Sequence, residues 1–194
     1  MVAVTRRQQA ERTEAELKAA AIRVFERGGY LNAKITDITA EAGRATGSFY
    51  KHFASKEKLL EALLADMLAH GDESAGQPGH LTDFRDVAAV RWHVEIFWGF
   101  YRENRAVMSA LQQAATVDEE FARRSREMLE PDLHHIAGHL DGLDVPGDPL
   151  VAASLFTTTL SAAATAWFGG QQRGDEAAMI DSLTTFLHRG LGGR

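Results

Sequence analysis

Apolar residues recur at helical spacing along almost the whole chain, which predicts an all-α protein. A first helix is expected from Thr13, where Thr13 and Glu16 make a capping box. It turns Leu17, Ala20, Ala21, Val24 and Phe25 inward and ends at Gly28-Gly29. A short helix at 35–41 follows, with Ile35 and Ile38 inward. A break at Ala42-Gly43-Arg44 leads to a second short helix at 45–53, whose Phe49 and Phe53 share one face. Ser55 then caps a helix reaching His70, with an apolar stripe through Leu59, Leu60, Leu63, Leu64, Met67 and Leu68.

Gly, Pro and polar residues at 71–80 read as a loop. The next pattern, 82–104, is apolar on nearly all sides, and helices are expected at 105–115 (Met108 and Leu111 inward) and 118–140. Pro131 should kink or split the latter, because it lacks an amide donor and crowds the preceding turn. After a loop at 141–149, residues 150–170 carry no charge, and the last helix at 175–188 places Met179, Ile180, Leu183, Phe186 and Leu187 on one side.

Composition narrows this only a little. The chain has 194 residues, 45% of them hydrophobic and 25% charged, enough for a real core in one or two domains. Without cysteine there is no disulfide, thiolate nucleophile or cysteine metal site, which suits a reducing cytoplasm, and the N-terminus turns polar too soon for a secretory signal. The net charge of −6 is unevenly divided, with 11 Lys/Arg against 7 Asp/Glu through residue 60 and 10 against 20 beyond it. A basic head on an acidic body suits a nucleic-acid-binding module joined to a regulatory domain, although such a split also falls within ordinary scatter.

The chemistry concentrates at 35–53. Two short helices joined at a glycine corner form a helix-turn-helix, since Gly43 can take positive φ without a Cβ penalty. Hydroxyls at the start of the second helix suit base edges or phosphates, and Lys51 and His52 suit backbone charge. Ahead of the first helix, Arg6, Arg7 and Arg12 form either a basic arm for phosphates or a minor groove, or a frayed terminus. Arg44 either reaches a phosphate or guanine edge, or is a solvent-exposed turn residue.

From Thr13 to Leu64 the chain resembles the DNA-binding domain of the tetracycline-repressor (TetR) family of bacterial transcriptional regulators. The resemblance is carried by Thr13, Ala20-Ala21, Phe25, Gly29-Tyr30, Ile35, Asp37-Ile38, Ala42-Gly43, Gly47-Ser48-Phe49-Tyr50, His52-Phe53 and Ser55 to Leu60. It implies an N-terminal three-helix helix-turn-helix domain (1–58) and a C-terminal helical ligand-binding and dimerisation domain (59–194). Lys34, Tyr50, His52 and Lys56 would then contact phosphates, and Thr36, Thr46, Gly47, Ser48 and Lys51 would lie near bases, with Arg44 added to that surface. Tyr50 has a competing reading as a half-buried aromatic. Four positions depart from the family: Ala33 and Lys34 stand where a hydroxyl usually caps the second helix, leaving Thr36 and Asp37 to offset its loss. Arg44 and Ala45 replace an apolar residue and a hydroxyl or acid.

The body offers packing patterns more than motifs. Trp92, Ile96, Phe97, Phe100, Met108, Met128 and Phe156 are candidates to line a cavity for a small, largely apolar effector, or are plain core. Asp132, His135 and His139 form a metal-like constellation, but HExxH is absent, and such groups are commoner as surface polar residues; neither metal nor cofactor is expected. Residues 150–170 are long enough for a membrane span, but Ser, Thr and Ala interrupt the apolar character, so no membrane partner is expected. Doubled by a two-fold axis, helices 149–169 and 175–188 would make the four-helix homodimer interface usual in the family. The expected function is therefore a cytoplasmic, homodimeric repressor that binds a palindromic double-stranded operator and is released by its effector. A metal-dependent all-α enzyme using the His135/His139 face and a helical protein-interaction adaptor are the alternatives.

Overall fold

The structure is a computed structural model that describes residues 5–75, 79–145, 147–171 and 174–192. Those residues are helical and contain no strand: α1 Arg6–Asn32, α2 Ile35–Glu41, α3 Thr46–Phe49, α4 Lys56–Ala75, α5 Val87–Glu103, α6 Arg105–Val117, α7 Glu119–Gly138, α8 Pro149–Ala166 and α9 Glu176–Gly190. A π turn, Trp167–Gln171, extends α8. Two compact units result. The first runs through His70 and takes in Ala106–Ser125; the second holds Gly71–Arg105 and Arg126–Arg194.

In the first unit, α1 begins two turns before Thr13. Thr5 Oγ1 accepts from Gln8 N–H (3.2 Å), and Thr5 N–H donates to Gln8 Oε1 (2.9 Å), which closes a capping box upstream of the expected one. Thr13 is instead buried inside the helix and donates to Gln9 O. The intervening residues are good helix formers tied by Arg7–Glu11 and Arg12–Glu16 pairs one turn apart. The basic segment is thus neither an extended arm nor frayed; from Arg6 onward it is helix.

The expected core of α1 holds, with Leu17, Ala20, Ala21, Val24 and Phe25 buried. The helix breaks at Gly29 (φ 72°, ψ 163°), a conformation open essentially to glycine. A short last turn follows, in which Leu31 N–H donates to Gln113 Oε1 of α6 (3.3 Å). On α6 the buried residues are Val107, Ala110 and Ala114, while Met108 and Leu111 are half-buried, so the inward face is offset from the expected one. Arg124 at the start of α7 pairs with Glu61 of α4 at 2.6 Å.

In the second unit α5 packs against α8 and α9. Its start moves from 82 to Val87 because Asp86 caps it, accepting from Ala88 N–H at 2.9 Å. The segment before it bends back, and its Phe84 is fully buried. Helix α7 runs through Pro131 without splitting, since Pro131 lies on the exposed side, where a carbonyl left without its amide is open to water. Asp148 caps α8 and Pro149 occupies its first turn, as expected. The stretch Pro149–Gly170 is long and apolar enough to cross a membrane by length and composition alone. Its Ala152, Ala153, Phe156, Leu160 and Ala164, however, face protein. The predicted loop at 71–80 is helical to Ala75, and residues 76–78, like 1–4, lie outside the described residues.

Two adjacent glycines on α1 should respond oppositely to alanine. At Gly29 a Cβ would sit 3.1 Å from Gln113 Oε1 in a strained backbone, whereas at Gly28 it meets nothing within 4 Å. Gly29→Ala should cost about 1–3 kcal/mol, and Gly28→Ala should be neutral or stabilising by up to about 1 kcal/mol, as read by denaturant unfolding.

Candidate DNA-binding surface and effector site

Helix α2 has no side-chain cap at Lys34, and Asp37 makes only the reciprocal bond of a capping box. Lys34 N–H donates to Asp37 Oδ2 at 3.1 Å, which frees Thr36 to lie exposed. Gly43, φ 63°, makes the corner. Two carboxylates then lock the corner and α2 to α1. Glu41 accepts from Arg23 and Arg27, both at 2.6 Å, and those bonds, Arg23 first, hold its carboxyl below the usual range. Glu16 accepts from Arg44 and from Arg12, and the Arg44 bond is the larger cause of its lowered pKa. Arg44 is therefore half-exposed and already tied to α1, neither reaching outward nor loose in solvent.

The recognition segment is shorter than the expected 45–53. Regular α-helix covers only Thr46–Phe49, and hydrogen-bonded turns carry the chain on to Phe53. Phe49 and Phe53 are buried at 0% and 5% exposure, as expected, with rings 5.6 Å apart. Thr46, Gly47, Tyr50 and Lys51 face outward, and Ser48 and His52 are half-buried. Tyr50, 58% exposed, rests edge-on against Phe49, which removes the reading of it as half-buried. Gly47 has no positive φ, and nothing lies within 4 Å of where its Cβ would be. Nothing within the chain requires glycine there.

Lys56 is placed differently from the other cations. Its Nζ donates to Tyr30 O (2.8 Å) and Ala33 O (2.9 Å) and sits 4.0 Å from the centre of the Tyr30 ring. Burial lowers its pKa. It satisfies the carbonyls at the end of α1, while the Tyr30 hydroxyl donates to Glu57 (2.8 Å).

Six of the seven candidate effector residues lie in the second unit, and Met108 lies in the first. Phe156 is buried, Trp92, Phe97, Phe100 and Met128 are half-buried, and Ile96 is 45% exposed. Two aromatic clusters organise this unit. In one, Trp98 meets Trp167 and Phe168, and Tyr101 stacks on Phe168 at 5.6 Å. The indole N–H of Trp98 is buried there without an acceptor among the described residues. The other cluster gathers Phe84, Trp92 and Phe156 with His80, His93, His135 and His139. Sequence spacing found His135 and His139 but missed His80 and His93, which reach the cluster from the loop before α5 and from α5 itself. Asp132 is exposed.

A glycine-cornered helix pair with its second member presented outward on two buried phenylalanines is the build of a helix-turn-helix DNA-binding regulator. Residues 17–63 match the family model described as bacterial regulatory proteins, tetR family. The chain is 43% identical over 51 residues to the HTH-type transcriptional regulator YvdT of Bacillus subtilis, covering 26% of each protein. It is 31% identical over 97 residues to the HTH-type transcriptional repressor NicS of Pseudomonas putida, covering 50% of this chain and 45% of NicS. These alignments span less than half the length of either relative. Over nearly its whole length the fold is similar to that of the transcriptional regulator FadR from Bacillus subtilis, solved in complex with stearoyl-CoA. The TM-score is 0.71 at 20% identity, covering 91% of this chain and 98% of that one. Residues 17–63 thus carry the N-terminal domain of the tetR family of bacterial regulatory proteins.

Lys56 and Lys51 should separate cleanly by stability. Lys56→Met strands Ala33 O and leaves Tyr30 O with Ala33 N–H alone (3.2 Å), and should cost about 1–3 kcal/mol, whereas Lys51→Met should stay within about 0.5 kcal/mol; urea unfolding of the two variants checks this.

Proposed function

We propose that the chain is a homodimeric repressor whose paired recognition segments read a palindromic operator and which a small, largely apolar effector releases. The observation that carries the DNA half is the face made by Thr36, Thr46, Gly47, Ser48, Tyr50 and Lys51. It is polar, mostly exposed and rigidly backed by Phe49 and Phe53. Thr46, Gly47, Ser48 and Lys51 lie near bases, with Thr36 beside them. Lys34, Tyr50 and His52 contact phosphates, and Arg44 joins them by exchanging Glu16 for a phosphate. Lys56 acts on the duplex through the positioning of α1 and α4 more than by direct contact. Glycine at 47 is explained by the duplex and not by the chain, because a methyl there would face the groove.

Dimerisation rests on the stripe Val151, Leu155, Thr158 and Ala162 of α8, exposed at three- and four-residue spacing, and on Phe186 of α9, exposed at 66%. An apolar stripe of this kind is suited to a two-fold partner. Two copies bring two recognition segments to half-sites about one helical turn apart, roughly 34–36 Å. The effector occupies the second unit among Trp92, Phe97, Phe100, Met128 and Phe156, with Ile96 at the edge, and Trp98 N–H is a buried donor for an acceptor it carries. The acyl chain of the stearoyl-CoA held by the Bacillus subtilis FadR is the kind of molecule such a lining suits. The effector shifts the head spacing only by its differential affinity for the two states. The protein works in the cytoplasm, where the operator is.

In-vitro selection of random duplexes with the full chain, followed by gel shift across a salt series, tests the DNA half. The expected product is a palindrome bound at least roughly 10³-fold more tightly than random duplex; failure to enrich any sequence overturns it. Gly47→Ala should keep or raise thermal stability yet weaken the selected complex by at least tenfold, ~1.4 kcal/mol. Leu155→Glu with Phe186→Glu should shift sedimentation from dimer to monomer and abolish binding to the full palindrome at concentrations where the parent chain saturates it.

A further inference from the structure

The histidine cluster of the second unit is used by none of the above. His80 Nε2 faces His93 Nε2 at 3.2 Å, and His135 Nε2 faces His139 Nε2 at 3.2 Å. The rings of His80 and His135 stack at 5.3 Å, and those of His93 and His139 lie 4.9 Å apart, which joins the two pairs into one group. Ligand nitrogens of His80, His93 and His139 all fall within 4.8 Å of one another.

Each of the two 3.2 Å pairs can be bridged by one N–H···N hydrogen bond, and a cation can replace the shared proton. A neutral imidazole has one N–H and one lone pair. His93 commits its Nδ1–H to Ala89 O at 2.9 Å, so its Nε2 presents a lone pair. A backbone carbonyl on the far nitrogen is also the support that metal-bound histidines ordinarily have. Burial, followed by the neighbouring imidazoles, holds His139 at a pKa of about 4; His93 is also held at about 4, with burial again the main cause.

We propose that His80, His93, His135 and His139 bind one divalent transition-metal cation of the zinc class through their four Nε2 atoms. Tetrahedral zinc with Zn–N bonds of about 2.0–2.1 Å separates its ligand nitrogens by roughly 3.3–3.4 Å, close to the two 3.2 Å edges already present. The donor set is all imidazole, which suits zinc, nickel, copper and cobalt, and excludes the oxygen-preferring magnesium and calcium. Phe84 and Trp92 wall the site on one side, and exposed His135 offers the way in. The cation would bridge the loop before α5, α5 and α7 within one unit. This proposal is independent of DNA binding, and it shares Trp92 with the effector lining proposed above.

The test uses the full chain without an affinity tag, stripped with chelator and then titrated with Zn²⁺ by calorimetry and with Co²⁺ by visible absorption. One ion per chain and the absorption bands of four-coordinate Co²⁺ are expected. His135→Ala and His80→Ala, which remove groups that are not fully buried, should each weaken Zn²⁺ binding by at least tenfold. His93→Gln should do the same, with circular dichroism checking that it folds. His134→Ala removes a neighbouring histidine outside the cluster, 3.7 Å from Glu130, and should bind like the parent chain. The proposal is overturned by absence of stoichiometric binding to the parent chain. It is equally overturned if His135→Ala and His80→Ala both bind like the parent, or if His134→Ala loses as much affinity as they do.

Discussion

A helix of four residues cannot sustain itself, because nucleation spends most of its hydrogen bonds before propagation begins. Helix α3 exists only because Phe49 and, a turn further, Phe53 are sunk into the first unit while the backbone between them follows. Everything the head presents outward depends on that anchoring. The two carboxylate clamps to α1, through Glu41 and Glu16, add a second constraint by fixing α2 and the corner before α3 starts. Individually, exposed pairs of this kind contribute little. Their value is geometric, since they leave the short helix one orientation.

Most of this arrangement was legible in the sequence because it rests on local rules. The glycine corner at Gly43, the buried spacing of Phe49 and Phe53, and the caps at Ser55 and Asp148 are each set by residues a few positions apart. Local rules also explain the errors. Thr13 to Glu16 has the form of a capping box, yet Thr5 to Gln8 has it too, and helix-forming residues between them let the upstream box win. The helix expected from 82 likewise starts later, where Asp86 supplies a cap. The surroundings of Lys56 were illegible for a different reason: its partners, Tyr30 O and Ala33 O, are carbonyls more than twenty residues away, which no spacing rule reaches.

The second unit was the less readable half for that same reason. His135 and His139 announce themselves at one-turn spacing, but His80 and His93 join them only through the folding-back of the segment that carries the buried Phe84. A pair read as exposed polar side chains becomes part of a four-imidazole cluster in the folded chain. The aromatics were similarly indistinct in sequence. Trp98, Tyr101, Trp167 and Phe168 are one cluster and Phe84, Trp92 and Phe156 another, a division that composition cannot draw.

The ion pairs of the head carry one more consequence, for how strongly it feels a polyanion. Arg12, Arg23, Arg27, Arg44 and Lys18 already lean on carboxylates, while among the described residues Lys34 and Lys51 have none in reach. A cation that swaps a carboxylate for a phosphate gains less than one arriving with only water around it. Each phosphate contact made by such a cation thus adds less to the binding of any nucleic acid than its charge alone suggests. Discrimination falls correspondingly to contour and to the few side chains at the groove, where a wrong base pair is felt most.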